Sequence, residues 1–146
     1  MIHAPHTIAL VLALSACAVP PPSEPLLITS DLGGDIVQRI DEILQLERAN
    51  RAVMIEGACM SACTMYLALE DVCLMPSAVL GFHVPYYSDA PMTNAQQARW
   101  VSIIAAHYPA TVEAWFRATA GPDGKVHLLG GSELIAAGVA PACGEH

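Results

Sequence analysis

Glu56-Gly57-Ala58-Cys59-Met60-Ser61-Ala62-Cys63-Thr64 is the stretch on which the fold of this chain turns. It follows Ala52-Val53-Met54-Ile55, a short apolar run of the kind that forms a buried strand. Gly57 and the small residues after it read as a turn, and Ala62 to Leu69 as an apolar helix. A serine at a strand-to-helix turn has two uses. Its hydroxyl can cap the helix by accepting from a free backbone N–H. It can also be a nucleophile, because the turn exposes Oγ and the following N–H groups face a developing oxyanion. A nucleophilic serine needs a base. His83 is the candidate, at the end of a second apolar run, Ala78-Val79-Leu80. One helix and one returning strand would bring it back to Ser61. By residue type alone the plainer readings lead: a helix cap for Ser61 and a structural imidazole for His83.

Upstream, Leu26-Leu27-Ile28-Thr29 reads as a buried strand and Ser30-Asp31-Leu32-Gly33-Gly34 as the loop after it. Its glycines permit positive φ and close approach of the backbone to a ligand. Asp35 to Ala49 reads as a helix, with Ile36, Val37, Ile40, Ile43 and Leu44 on the core face and Asp41, Glu42, Gln45 and Arg48 elsewhere. Strand, loop, helix and strand make a βαβ unit, which implies a parallel pair. Ligands in such sheets sit at the carboxyl ends of the strands. Gly33-Gly34 and Ser61 both follow strand ends, so they belong on one edge.

These blocks together resemble a known family. Gly57-Ala58-Cys59-Met60-Ser61-Ala62, an apolar helix, Cys73-Leu74-Met75-Pro76 and Leu80-Gly81-Phe82-His83 look like the active-site block of the Clp protease proteolytic subunit and its periplasmic relatives, within the Clp/crotonase superfamily. Ile28 to Asp35 resembles the family's Ser-x-Gly-Gly loop, and Leu128 to Val139 its closing block. The resemblance implies an α/β fold with a Clp/crotonase-like βαβ core and mainly parallel strands, shortened at the N-terminus. It implies Ser61 as nucleophile, His83 as base, and the N–H groups of Gly34 and Ala62 as the oxyanion hole. It also implies a helix after the base that reaches towards neighbouring subunits. Trp100, Trp115 and Phe116 are then interface residues of a homo-oligomer, or else intramolecular core. Two positions depart from the family pattern. Asp31-Leu32 stands where the family has a proline. The nearest acid to the expected third catalytic residue is Asp123, inside the turn Gly121-Pro122-Asp123-Gly124. A Ser–His dyad, or a His83 held by a backbone carbonyl, are the alternatives.

The remaining segments are read in the same way. Val72 to Met75 and Val79 to His83 are strands broken by Pro76-Ser77. The loop 84–91 carries Tyr86 and Tyr87, which would either line a groove or cover the core edge. Thr93 to Ala106 is an amphipathic helix with Ala98, Val101, Ile104 and Ala105 inward, and Pro109 opens another with Val112, Trp115 and Phe116. His107 is structural. Lys125 to Leu129 is a strand, and Ser132 caps a short helix, Glu133 to Ala137, that Gly138 ends.

Length and composition bound the function. The 146 residues suffice for one domain. A net charge of −8 with six Lys and Arg argues against nucleic acid and against charge-driven binding to anionic membranes. No nucleotide fingerprint and no carboxylate pair for glycosidase work is present, and no cofactor is expected. Ile8 to Leu14 is too short to span a membrane, and Leu14-Ser15-Ala16-Cys17 looks like a bacterial lipobox. Residues 1–17 are read as a signal peptide, Cys17 as the lipidated residue, 18–25 as a Pro-rich tether and 26–146 as the domain. An ordinary secretory signal or a mis-assigned start are the alternatives, because the region before the apolar run lacks Lys and Arg. Export to the periplasm would permit disulfides. Cys59, Cys63, Cys73 and Cys143 allow three pairings. A bridge from Cys59 or Cys63 to Cys73 would staple the serine turn to the strand that leads to His83. A zinc site built from these cysteines and a histidine is the rival, although the spacing is unlike paired CxxC patterns.

The function expected is an exported, lipid-anchored serine hydrolase acting on peptides or proteins. The alternative is an inactive envelope lipoprotein of the same fold that binds a partner protein. An acyl-CoA enzyme ranks last, because an exported chain would not meet that cofactor.

Overall fold

The computed structural model describes residues 23–86 and 90–144, without the side chain of Asp123. Residues 1–22, which include Cys17, the segment read as a signal peptide and most of the one read as a tether, lie outside the described residues, as does Tyr87. The chain is a mixed α/β structure built on a five-stranded, mostly parallel sheet. In order it runs β1 (Leu26–Asp31), α1 (Ile36–Arg48), β2 (Val53–Met60), a 3₁₀ helix (Ser61–Ala68), β3 (Val72–Leu74), β4 (Val79–Phe82), α2 (Asn94–Ala105), α3 (Ala110–Ala118), α4 (Ala120–Asp123), β5 (His127–Gly130) and α5 (Gly131–Ala136).

β2 is the central strand. It pairs in parallel with β1 on one side. On the other side it pairs with β3 through Val53 to Ile55 and with β4 through Ala58 to Met60. β3 and β4 therefore share one position beside β2, interrupted at Pro76-Ser77. A proline donates no N–H to a ladder, which is why the break falls there. β5 closes the far side, antiparallel to β4. Ile55, Leu74, Leu80 and Phe82 are fully buried in the core between sheet and helices.

β2 is longer than the pattern suggests. Gly57 is not a turn residue; the strand runs through it to Met60. The β1 register slips between Ile28 and Ser30, and a Cβ on Gly57 would lie 2.0 Å from the Thr29 carbonyl oxygen. A glycine is required by that close approach, not by a turn. The helix after Ser61 is 3₁₀, apolar and buried from Ala62 to Leu67.

The inward face of α1 also differs from expectation. Ile36, Arg39, Ile43 and Leu46 are buried, whereas Val37 and Leu44 are exposed. Arg39 comes inward because it has ionic and aromatic partners there. Ala98 is exposed and Val101 only half-buried, so α2 buries just Ile104 and Ala105. Ser132 does not cap α5: that helix begins at Gly131 with no side-chain cap, and the Ser132 hydroxyl donates to the Pro76 carbonyl at 2.9 Å. Gly121 to Asp123 belongs to the short helix α4, ended by Gly124 at φ +65.

Phe82, Tyr108, Trp115 and Phe116 form an edge-on aromatic cluster with centroids 5.2 to 5.5 Å apart. Such pairs add about 0.5–1.5 kcal/mol each beyond burial. The cluster fastens α3 and the chain after α2 over the end of β4, next to His83. Phe116 is core, as the intramolecular alternative had it.

Two cysteine pairs lie at bonding distance, Cys59–Cys63 and Cys73–Cys143. Of the three pairings the sequence leaves open, this one joins neither Cys59 nor Cys63 to Cys73, so no bridge staples the serine turn to β3. Cys73 instead meets the C-terminal segment, which lies beside β3: Leu74 accepts from the Cys143 N–H at 3.0 Å and donates to Pro141 at 3.0 Å. All four of these cysteines are thus taken up in pairs, an arrangement different from the three-cysteine and histidine set of a zinc site.

Candidate active site

Three strands deliver the site. β1 ends at Asp31, β2 at Met60 and β4 at Phe82, and the three are parallel neighbours. In register, Asp31 lies beside Cys59 and Met60 beside Gly81. Gly33-Gly34, Ser61 and His83 follow these ends and so emerge on one sheet edge, as parallel pairing requires.

Ser61 is held at φ +55. That left-handed conformation costs a residue with a Cβ on the order of 1–3 kcal/mol and persists only where its surroundings enforce it. Here the strand before it is paired to Met60, and Cys59 and Cys63 are joined across it. The conformation turns the chain sharply from β2 into the helix. Ala62 is in the helix's first turn, where backbone N–H groups have no intrahelical acceptor.

Gly33 and Gly34 have φ of +101 and +128. A Cβ on Gly33 would meet the Ser61 Cβ at 2.6 Å and the Ala62 nitrogen at 3.2 Å, so the loop lies directly on the serine turn. The Gly33 N–H donates to Asp31 Oδ1 at 2.8 Å and is thereby engaged. Gly34 lines the cavity beside Ser61.

That cavity has a volume of about 180 Å³. Gly34, Ser61, Ala62 and His83, all singled out by sequence, share its wall with Tyr86 and Trp100. His83 and Tyr86 stack at 6.3 Å, so Tyr86 lines the groove and does not cover the core. The His83 Nδ1–H donates to the Val84 carbonyl at 2.7 Å. A carbonyl only accepts, so the proton of the neutral ring sits on Nδ1 and Nε2 keeps its lone pair. The Val84 carbonyl thus fixes the orientation of the imidazole. Among the described residues no hydrogen bond joins Ser61 Oγ to His83. Such contacts are commonly long before substrate binds.

A second set of residues, not anticipated from sequence, supports the loop. Arg39 is 8% exposed. It donates to Asp31 Oδ2 at 2.6 Å and Glu42 Oε2 at 2.8 Å, and also to the Tyr66 hydroxyl. Its guanidinium carbon stands 4.4 Å from the Tyr66 ring centroid. One cation thereby ties the glycine loop, α1 and the 3₁₀ helix together. Burial, reinforced by the nearby Glu42 carboxylate, raises the Tyr66 phenol far above its ordinary range. The one available signal was an arginine at helical spacing between Ile36 and Ile43.

No group of three or more potential metal ligands occurs among the described residues. No helix of the described residues is long and apolar enough to cross a membrane. No family model matches the chain, and no curated protein matches it.

Proposed function

We propose that this protein is a serine hydrolase acting on peptides, on a fold similar to the Clp/crotonase superfamily. The observation that carries the reading is the left-handed Ser61, lining one cavity with a His83 whose Nδ1 is tied to a carbonyl. Ser61 Oγ attacks the acyl carbonyl while His83 Nε2 takes its proton. The Gly34 and Ala62 N–H groups receive the oxyanion. His83 returns the proton to the leaving amine, and water then releases the acyl group by the same route. The two cysteine pairs support an oxidising compartment, and with the lipobox-like segment they favour a lipid-anchored periplasmic protein.

A non-catalytic, partner-binding lipoprotein is the second reading. It is favoured by the lack of a Ser61–His83 hydrogen bond among the described residues. Fluorophosphonate labelling decides between them. Labelling abolished by Ser61→Ala and by His83→Ala establishes the activated serine. Folded, oxidised protein that does not label overturns it.

A further inference from the structure

Resting on that reading, we propose that Thr64 and Tyr108 are positioning residues of the nucleophile turn. A one-way hydrogen-bond chain from Tyr108 through Thr64 to the Ser61 carbonyl aims the Ala62 N–H at the oxyanion.

The direction of the chain follows from counting protons. Thr64 Oγ1 lies 2.7 Å from the Ser61 carbonyl oxygen. That oxygen can only accept, so the single Thr64 hydroxyl proton goes to it. Thr64 Oγ1 also lies 2.7 Å from the Tyr108 hydroxyl. With its proton committed, Thr64 accepts there and Tyr108 donates. Thr64 is fully buried and Tyr108 is 7% exposed, so water does not compete for either bond. Burial also raises the Tyr108 phenol well above its ordinary range, which keeps the donating proton in place.

A threonine hydroxyl bonding the carbonyl one helical turn back is a common local habit. Two features set this one apart. The carbonyl belongs to the left-handed serine, and the chain continues to a tyrosine far along the sequence, held edge-on between Phe82 and Phe116. The consequence lies in the peptide plane. The Ser61 C=O and the Ala62 N–H share one trans peptide, in which they point in opposite directions. A carbonyl held inward, by the Thr64 hydroxyl and by the first turn of the 3₁₀ helix together, sends the N–H the opposite way. The buried hydroxyls thereby hold a donor that they never touch.

The test measures fluorophosphonate labelling rates of the full chain against pH, with thermal unfolding in parallel, for the natural protein and for Thr64→Val, Thr64→Ser and Tyr108→Phe. Thr64→Val keeps the shape and removes the donor. It is expected to slow labelling by about 10-fold or more across the pH range, because the oxyanion donor is no longer held in place. Thr64→Ser keeps the hydroxyl and should stay within about 2-fold of the natural rate, and Tyr108→Phe should fall between them. A folded Thr64→Val that labels at the natural rate overturns the proposal, as does a Thr64→Ser as slow as Thr64→Val. If Thr64→Val does not fold, Tyr108→Phe decides, and an unchanged rate overturns the chain. A natural protein that does not label overturns the hydrolase reading itself, an outcome distinct from both.

Discussion

Gly33 lies against Ser61 so closely that a Cβ on the glycine would stand 2.6 Å from the Cβ of the serine. The two come from the ends of neighbouring parallel strands, and each has positive φ. The contact makes the loop and the serine turn one unit. Replacing Gly33 by alanine would force them apart at a position whose backbone already disfavours a side chain. Gly33→Ala should cost roughly 2–4 kcal/mol and abolish fluorophosphonate labelling. Gly34→Ala, with open space around its Cβ position, should cost less. Denaturant unfolding of the two variants checks the order.

The two cysteine pairs should separate stability from site geometry. Cys73–Cys143 spans a sequence separation of 70 and Cys59–Cys63 a separation of 4. Chain-entropy arguments assign roughly 4 kcal/mol to the first and roughly 2 kcal/mol to the second. Removing Cys73 and Cys143 together should therefore lower the unfolding midpoint more. Removing Cys59 and Cys63 should slow labelling more, because that pair brackets Ser61. The expectation fails if both double variants lose labelling only in proportion to their unfolded fraction.

Arg39 is the clamp on the glycine loop. Arg39→Met would leave Asp31 without its cation and loosen the residue that holds the Gly33 N–H. The expected loss is about 2–4 kcal/mol, since breaking one side of a buried pair is strongly destabilising. Arg39→Lys should not restore the natural stability, because an ammonium cannot reach Asp31, Glu42 and Tyr66 as a planar fork. Equilibrium unfolding at neutral pH measures both.

Tyr66 and Tyr108 should make the fold sensitive to alkali. Both phenols are raised in the folded state, chiefly by burial. The folded state therefore keeps protons that the unfolded chain releases above about pH 10, and stability falls as pH rises through that region. Below it the contribution is constant. Absorbance at the tyrosinate band should show these two phenols ionising only as the protein unfolds. Early titration of all four tyrosines, before unfolding, would contradict the burial.

Much of this could be read along the chain, and the reason is local. The run Val53 to Ile55, the helical spacing of Ile36 and Ile43, and the order strand, helix, strand each depend on neighbours in sequence. Parallel pairing then puts Gly33-Gly34 and Ser61 on one edge without further information, and it carries His83 there on β4. Tertiary structure alone decided the rest. Gly57 looks like a turn residue until β1 is laid across it, because the close approach of the Thr29 carbonyl comes from another strand. Arg39 looks like a surface residue until Asp31, Glu42 and Tyr66 surround it. The cysteines permit three pairings on paper, and the choice follows from the C-terminal segment lying beside β3. Tyr108 reaches Thr64 only because the aromatic cluster folds the chain after α2 over β4. Periodicity reports which way a side chain faces; which partner it meets there is set by the packing of segments distant in sequence.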